Sequence, residues 1–217
     1  MIGSLQKEIC ALTTRGLYRT MLTAVSILAV AVTAGAADYN GNHVIASGDT
    51  VTLDDTWVSI GVWGPSGSLT VQGTLSCPAA IIGVNRGGNS ATVAQLIVDG
   101  GSVTGNNLYA FHGSNGVGQA IIQVTNDGQL SIATNAYLGN GPGIVVFEQD
   151  SGSTVVTGQF RLGGAGADGS ASATVSGGAF TVGSLALGAT LPTEFHVVGS
   201  NDTINANGSQ SSNAATT

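Results

Sequence analysis

Lysine is absent from the chain after Lys7, and after Arg19 the only cationic side chains are Arg86 and Arg161. Eleven carboxylates lie between Asp38 and Asp202, so that region sets two positive charges against eleven negative ones, a net charge of −9. Phosphate backbones and anionic lipid surfaces are held by lysine and arginine, so this balance argues against nucleic-acid binding and polybasic membrane attachment. Charged residues of both signs make up only 8% of the chain, against about a quarter in an average domain. Cysteine is nearly absent too. Cys10 lies close to the N-terminus and Cys77 alone remains beyond it, so no disulfide can form within the main body and no disulfide framework is expected.

What the chain has is glycine, 34 residues of 217, with an ordinary hydrophobic content of 42%. A chain this apolar can bury a core. Frequent glycine with Ser, Thr, Asn and Gln for exterior polarity suits many short β-strands joined by tight turns.

Residues Met21 to Val32 form an apolar run preceded by Lys7, Arg15 and Arg19 and followed by Ala34-Gly35-Ala36. A basic segment, a short apolar stretch and a small-x-small site make up a secretory signal peptide. Spanning a bilayer takes roughly 20 apolar residues, so the run is too short for an anchor. Residues 1–36 are therefore expected to be a signal peptide, cleaved after Ala36 or Ala37, and the remainder to be secreted or displayed at the cell surface.

The body repeats. Asp49, Gly73, Gly101, Gly128, Gly152 and Gly178 each open a run with apolar or small residues at alternate positions, at steps of 24, 28, 27, 24 and 26 residues. A weaker copy begins at Asp202. About ten residues after each turn comes a second alternation, generally closed by glycine. Examples are Val58-Ser59-Ile60-Gly61, Ala80-Ile81-Ile82-Gly83, Leu108-Tyr109-Ala110 and Ala136-Tyr137-Leu138-Gly139. Phe160-Arg161-Leu162-Gly163 and Leu185-Ala186-Leu187-Gly188 continue the series, and a third alternation such as Leu96-Ile97-Val98 precedes each turn. Period-two alternation gives each strand one buried and one wet face.

Strands this short bury enough only by stacking on their copies in neighbouring repeats. The expected fold is all-β: a right-handed parallel β-helix, or β-solenoid, of about seven three-stranded coils of roughly 25 residues, after an N-terminal signal-peptide helix. With strands about 4.8 Å apart, such a stack would be roughly 30 Å long. A β-sandwich shares the turn frequency but has no reason to repeat its strands every third time. The solenoid domain is placed at 38–204 and a polar tail at 205–217. In this register Cys77 shares its inward position with Leu53, Ile132, Val156 and Val182, so its thiol is expected to fill the core. Glycine at the corners is expected to supply positive φ.

Ala173-Thr174-Val175-Ser176-Gly177-Gly178-Ala179-Phe180-Thr181-Val182-Gly183, followed by Leu185-Ala186-Leu187-Gly188, resembles the autotransporter-type β-strand repeats of large secreted bacterial proteins. The resemblance covers roughly residues 44–204. It implies a passenger or surface scaffold with no shared catalytic residues. Many such proteins end in a PEP-CTERM sorting signal or a membrane β-barrel. Here Asn205-Ala206-Asn207-Gly208-Ser209 opens a polar tail instead, as in a truncated or a released chain.

A polysaccharide lyase needs a strong base beside a carboxylate cluster, whereas Arg86 lies in a Gly-Asn loop and Arg161 on an outward strand position without an acidic neighbour. A glycoside hydrolase needs paired carboxylates, and the close pairs are Asp54-Asp55 and Glu148/Asp150. His43, His112 and His196 fall in different repeats. Gly163-Gly164-Ala165-Gly166-Ala167-Asp168 matches the start of a Ca²⁺ nonapeptide but stands alone and has Ser170 where an apolar residue belongs. No catalytic, cofactor-binding or metal-binding residue is assigned. A ladder of threonines can bind ice, and Thr50, Thr52 and Thr181 hint at one, but Ser, Gln and Val interrupt it. Trp57, Trp63, Tyr109, Phe111 and Tyr137 would line a carbohydrate-binding strip if they face outward. The function expected is a non-catalytic adhesive or matrix scaffold, with surface glycans or matrix proteins as partners and end-to-end self-association. A carbohydrate-binding or carbohydrate-cleaving β-helix is the alternative.

Overall fold

A computed structural model describes residues 37–54, 56–61, 66–85, 93–111, 118–139, 141–164, 169–188, 193–198 and 203–206, the last four by backbone alone. The signal-peptide segment lies outside the described residues. Every strand pairing is parallel, and the strands stack as a β-solenoid with no helix among the described residues. Two sheets form the walls. The first is seven-stranded and runs, in spatial order, through Gly41–Ile45, Ser66–Val71, Val93–Asp99, Gln119–Thr125, Ile144–Gln149, Ser170–Val175 and Thr193–Val197. The second is ten-stranded and includes Thr74–Val84, Ser102–Ala110, Ser153–Leu162 and Ala179–Leu187, each bent in its middle.

The bend explains how two sheets house three extended segments per repeat. The ladder between Thr74–Val84 and Ser102–Ala110 shifts register between Cys77 and Ile81, and that between Ser153–Leu162 and Ala179–Leu187 shifts between Val156 and Gln159. In two turns the break is complete: Thr50–Thr52 and Trp57–Ile60 are separate strands beside Thr74–Val84, and Gln129–Ile132 and Ala136–Leu138 are separate strands on the same neighbours. Amide side chains take over the hydrogen bonds lost at the bend. Asn107 Oδ1 accepts from the Asn135 backbone N–H at 3.2 Å, and Asn135 Oδ1 accepts from that of Gln159 at 2.8 Å.

The stacking register follows the sequence repeat. Thr50 lies opposite Thr74, Thr74 opposite Ser102, Ser102 opposite Gln129, Gln129 opposite Ser153 and Ser153 opposite Ala179, which reproduces the steps of 24, 28, 27, 24 and 26 residues. Thr203 then follows Ala179, and its strand runs to Ala206, two residues past the boundary expected from sequence. Inward columns form one continuous core. Leu69, Leu96, Ile122, Phe147 and Ala173 succeed one another on the first sheet, and all are fully buried.

The two kinds of corner differ in what they demand. At the corner that opens each repeat, Gly152 and Gly178 have positive φ, of 77° and 82°, whereas Gly73, Gly101 and Gly128 do not. A Cβ there would overlap carbonyl oxygens of the preceding turn, of Ala46, of Gly73 and of Val98 respectively, so close backbone approach is the requirement. At the later corner positive φ is the rule, at Gly61, Asn85, Phe111, Gly139 and Gly163. Each donates its N–H to the turn before, as Asn85 does to Ile60 O at 2.9 Å and Phe111 to Val84 O at 3.1 Å. Asn85, not Gly83, is thus the counterpart of Gly61, and the second alternation of that repeat is Ile82-Gly83-Val84.

Candidate functional site

The outward side of the second sheet collects the aromatic residues. Ser59, Gly83, Tyr109, Tyr137 and Arg161 form one outward column by strand register. Tyr109 and Tyr137 sit on adjacent strands with ring centroids 5.5 Å apart and planes 17° from parallel. Trp57 belongs to a neighbouring column two strands away from Tyr109, a span of roughly 9–10 Å, yet its ring centroid is 6.1 Å from that of Tyr109. The two rings lean together over Gly83, which has no side chain to hold them apart.

This geometry sets what the strip can do. Tyr109 and Tyr137 stack between neighbouring strands, so each covers a face of the other. A pyranose ring prefers an open aromatic face, so the strip offers hydroxyl hydrogen bonds and ring edges more than a stacking platform. Phe111 does not belong to it. Its ring turns inward at an unusual positive φ of 54°, is 2% exposed, and occupies the space a side chain at Gly143 would need. Trp63 lies outside the described residues. Arg161, half-buried, donates from Nε to the Gly163 carbonyl at 3.0 Å.

A second polar feature runs along the edge of the first sheet. Gln72 and Asn126 donate to the two oxygens of Asp99 at 2.8 and 2.5 Å. These two bonds, Gln72 first, hold the Asp99 carboxyl below its ordinary value. One repeat on, Thr125 and Ser151 donate to Asp150 at 3.2 Å each, and Gln123 donates to Glu148 at 2.8 Å. Glu148 and Asp150 border a hollow of about 440 Å³ with Gln123, Thr125, Thr174 and Ser176. Both carboxylates are exposed, and their bonds tie one turn to the next.

The histidines are kept apart. His43 lies on the first strand of the seven-stranded sheet, its Nε2 2.9 Å from Asn40 O, and His196 on the last, 3.1 Å from Glu194 Oε2. His112, Arg86, Asp55 and residues 165–168 of the glycine run lie outside the described residues. Among the described residues, no group of three or more His, Cys, Asp or Glu is placed to hold a metal ion, and no helix is long and apolar enough to cross a membrane. Cys77 is fully buried, with its Sγ donating to Thr104 O at 3.0 Å, and burial pushes the thiol up to about 12.

Two features escaped sequence reading. The outer face of the first sheet is not uniformly polar, because Val93 and Ile144 are exposed and Ile97, Ile121 and Val146 share the outward columns in the three middle strands. Short alternations of β-branched residues on both faces hide which set points in. Thr154 and Gln149, by contrast, occupy inward positions beside Leu130 and Val124. Their Oγ1 and Oε1 atoms are buried without a hydrogen-bond partner.

No family model, curated protein or solved structure matches the chain.

Proposed function

We propose that this protein is an exported, non-catalytic β-solenoid scaffold with an adhesive or matrix role. The observation that carries the reading is the parallel ladder that continues from turn to turn, in which the glycine, the alternation and many of the polar side chains join one turn to the next. Asp99, Glu148, Asp150, Asn107 and Asn135 all bond across turns, so the residues that might have served chemistry serve the stack. The full reading is a right-handed coil of about seven turns, akin to autotransporter-type repeats, released by cleavage near Ala36. Fractionation of the source cells with N-terminal sequencing tests it. The product is expected in the medium or on the surface, beginning at Ala37 or Asp38. Accumulation inside the cell with residues 1–36 retained would overturn it.

The aligned column of Tyr109 and Tyr137 beside Trp57 favours a second reading, weak binding of neutral glycans through hydroxyl contacts. Retardation in gels containing soluble neutral polysaccharides, lost in Tyr137→Ala, would support it. Equal mobility of the two proteins would dismiss it.

A further inference from the structure

The two ends of the described ladder are complementary in phase. At one end Ala37–Tyr39, Gly41–Ile45 and Thr50–Thr52 each pair on one side only among the described residues. At the other end the elements left open among the described residues are the Leu185–Leu187 portion of its bent strand, then Thr193–Val197, then Thr203–Ala206. These are the same three columns, met in the same order along the chain. Ala37 belongs to the column of Val58, Ile82, Leu108, Phe160 and Leu185. His43 belongs to the column that ends in Ala173 and Phe195, and Thr50 to the one that ends in Thr203. The described ladder therefore spans a whole number of repeats, and its first strands are the next ones its last strands call for.

The far end also leaves core columns in the open. Val98, Val124 and Val175 are buried, but Val197, next in their column, is 48% exposed, and Leu185, Leu187 and Phe195 are only partly covered.

We propose that this end binds the opposite end of a second copy of the chain, so that copies stack head to tail as one continuous solenoid. Gly41–Ile45 of one copy then pairs with Thr193–Val197 of the next, five residues against five in matching inward and outward phase. His43 covers Phe195, Ile45 covers Val197, and Ala37 and Tyr39 cover Leu185 and Leu187. Such an interface is heterologous and does not close, so it generates open filaments. Only three short strands meet at each end, and the association is reversible, so it depends on concentration. Each copy's surplus of carboxylates opposes it at long range, so salt promotes it.

The inference deepens the scaffold reading and rests on it only for the removal of the leader before Ala37. The test is light scattering on the exported protein at increasing concentration, with its N-terminus read by mass spectrometry. Apparent mass is expected to rise through whole multiples of one chain, and further with added salt. Phe195→Lys and, separately, the better tolerated Val197→Lys are expected to hold it at a single chain with the fold intact by circular dichroism. Adding His43→Asp to Phe195→Lys is expected to restore growth. A single-chain mass at every concentration overturns the proposal, as do multimers indifferent to both lysine variants. A retained leader counts against the export reading instead.

Discussion

The two halves of the solenoid fill the same columns with different materials. Through the earlier turns the core is aliphatic apart from Phe111 at a corner, with Leu69, Leu75, Ile82, Leu96 and Leu108 repeating similar volumes from strand to strand. From Phe147 onward it turns aromatic and uneven. Phe147, Phe160 and Phe180 pack edge to face with centroids 5.0–5.9 Å apart, and Phe195 tilts against Phe180 at 5.5 Å. Alanines compensate at Ala136 and Ala173, which occupy columns held elsewhere by larger side chains such as Leu108 and Phe147. A stack conserves the volume of a layer rather than the residue at a position, since close packing penalises both voids and excess.

The largest test of that contrast is Phe160→Ala. Three ring contacts converge on this part of the core, and no alanine neighbour can expand to fill the space. The expected loss is about 3–5 kcal/mol, against about 2–5 for Leu96→Ala in the aliphatic half. Urea denaturation of both variants measures it. A smaller loss at Phe160 would mean that the aromatic half is loosely packed and the contrast is only one of composition.

The next test has the opposite sign. Thr154 sits in the column of Leu130 and Phe180 with its hydroxyl buried and unpartnered. Leaving a buried polar group unsatisfied costs about 1–3 kcal/mol, so Thr154→Val, which keeps the shape, is expected to raise stability by about 1 kcal/mol. Thermal denaturation decides. Destabilisation would place a bound water on the hydroxyl and remove the flaw from the aromatic half.

Legibility followed the same physics. The opening corners were readable because a side chain at Gly101 or Gly128 would strike the turn before, so glycine recurs at the true repeat length. The later corner requires positive φ, which asparagine also adopts at modest cost. Asn85 therefore breaks the glycine signal, and in the sequence Gly83 stands as the nearest glycine to that corner. Phe111 broke it more severely, since a bulky residue at φ 54° is rare and follows no pattern. The outward aromatic column was legible as residues but not as a stack, because the contact of Trp57 with Tyr109 depends on the empty place at Gly83 on the strand between them.

Cys77 tests the aliphatic half chemically. Its thiol shares a column with Gly105, where the Ile82 side chain fills the missing volume. With the thiol raised from 9.0 to about 12 by burial, the folded protein is expected not to react with iodoacetamide near neutral pH and to react fully in denaturant. The folded state holds this proton more tightly than the unfolded chain does. Its contribution to stability is therefore complete below pH 9 and declines between pH 9 and about 12. Rapid labelling of the native protein would show that the aliphatic turns open locally.

The smallest expected effect lies at the edge of the first sheet, where Asp99 joins three successive repeats through Gln72 and Asn126. Both donors are neutral amides and the carboxylate is fully exposed, so the bonds contribute to the position of the corner more than to global stability. Carbon-detected NMR titration is expected to place Asp99 below an ordinary aspartate. Gln72→Ala is expected to move it back further than Asn126→Ala, because the Gln72 bond is the larger cause. Whatever stability these bonds supply is present above the usual aspartate range and is lost as pH falls through the depressed value. An ordinary titration in the native protein would mean that the corner side chains are free in solution, leaving backbone stacking alone to set the distance between turns.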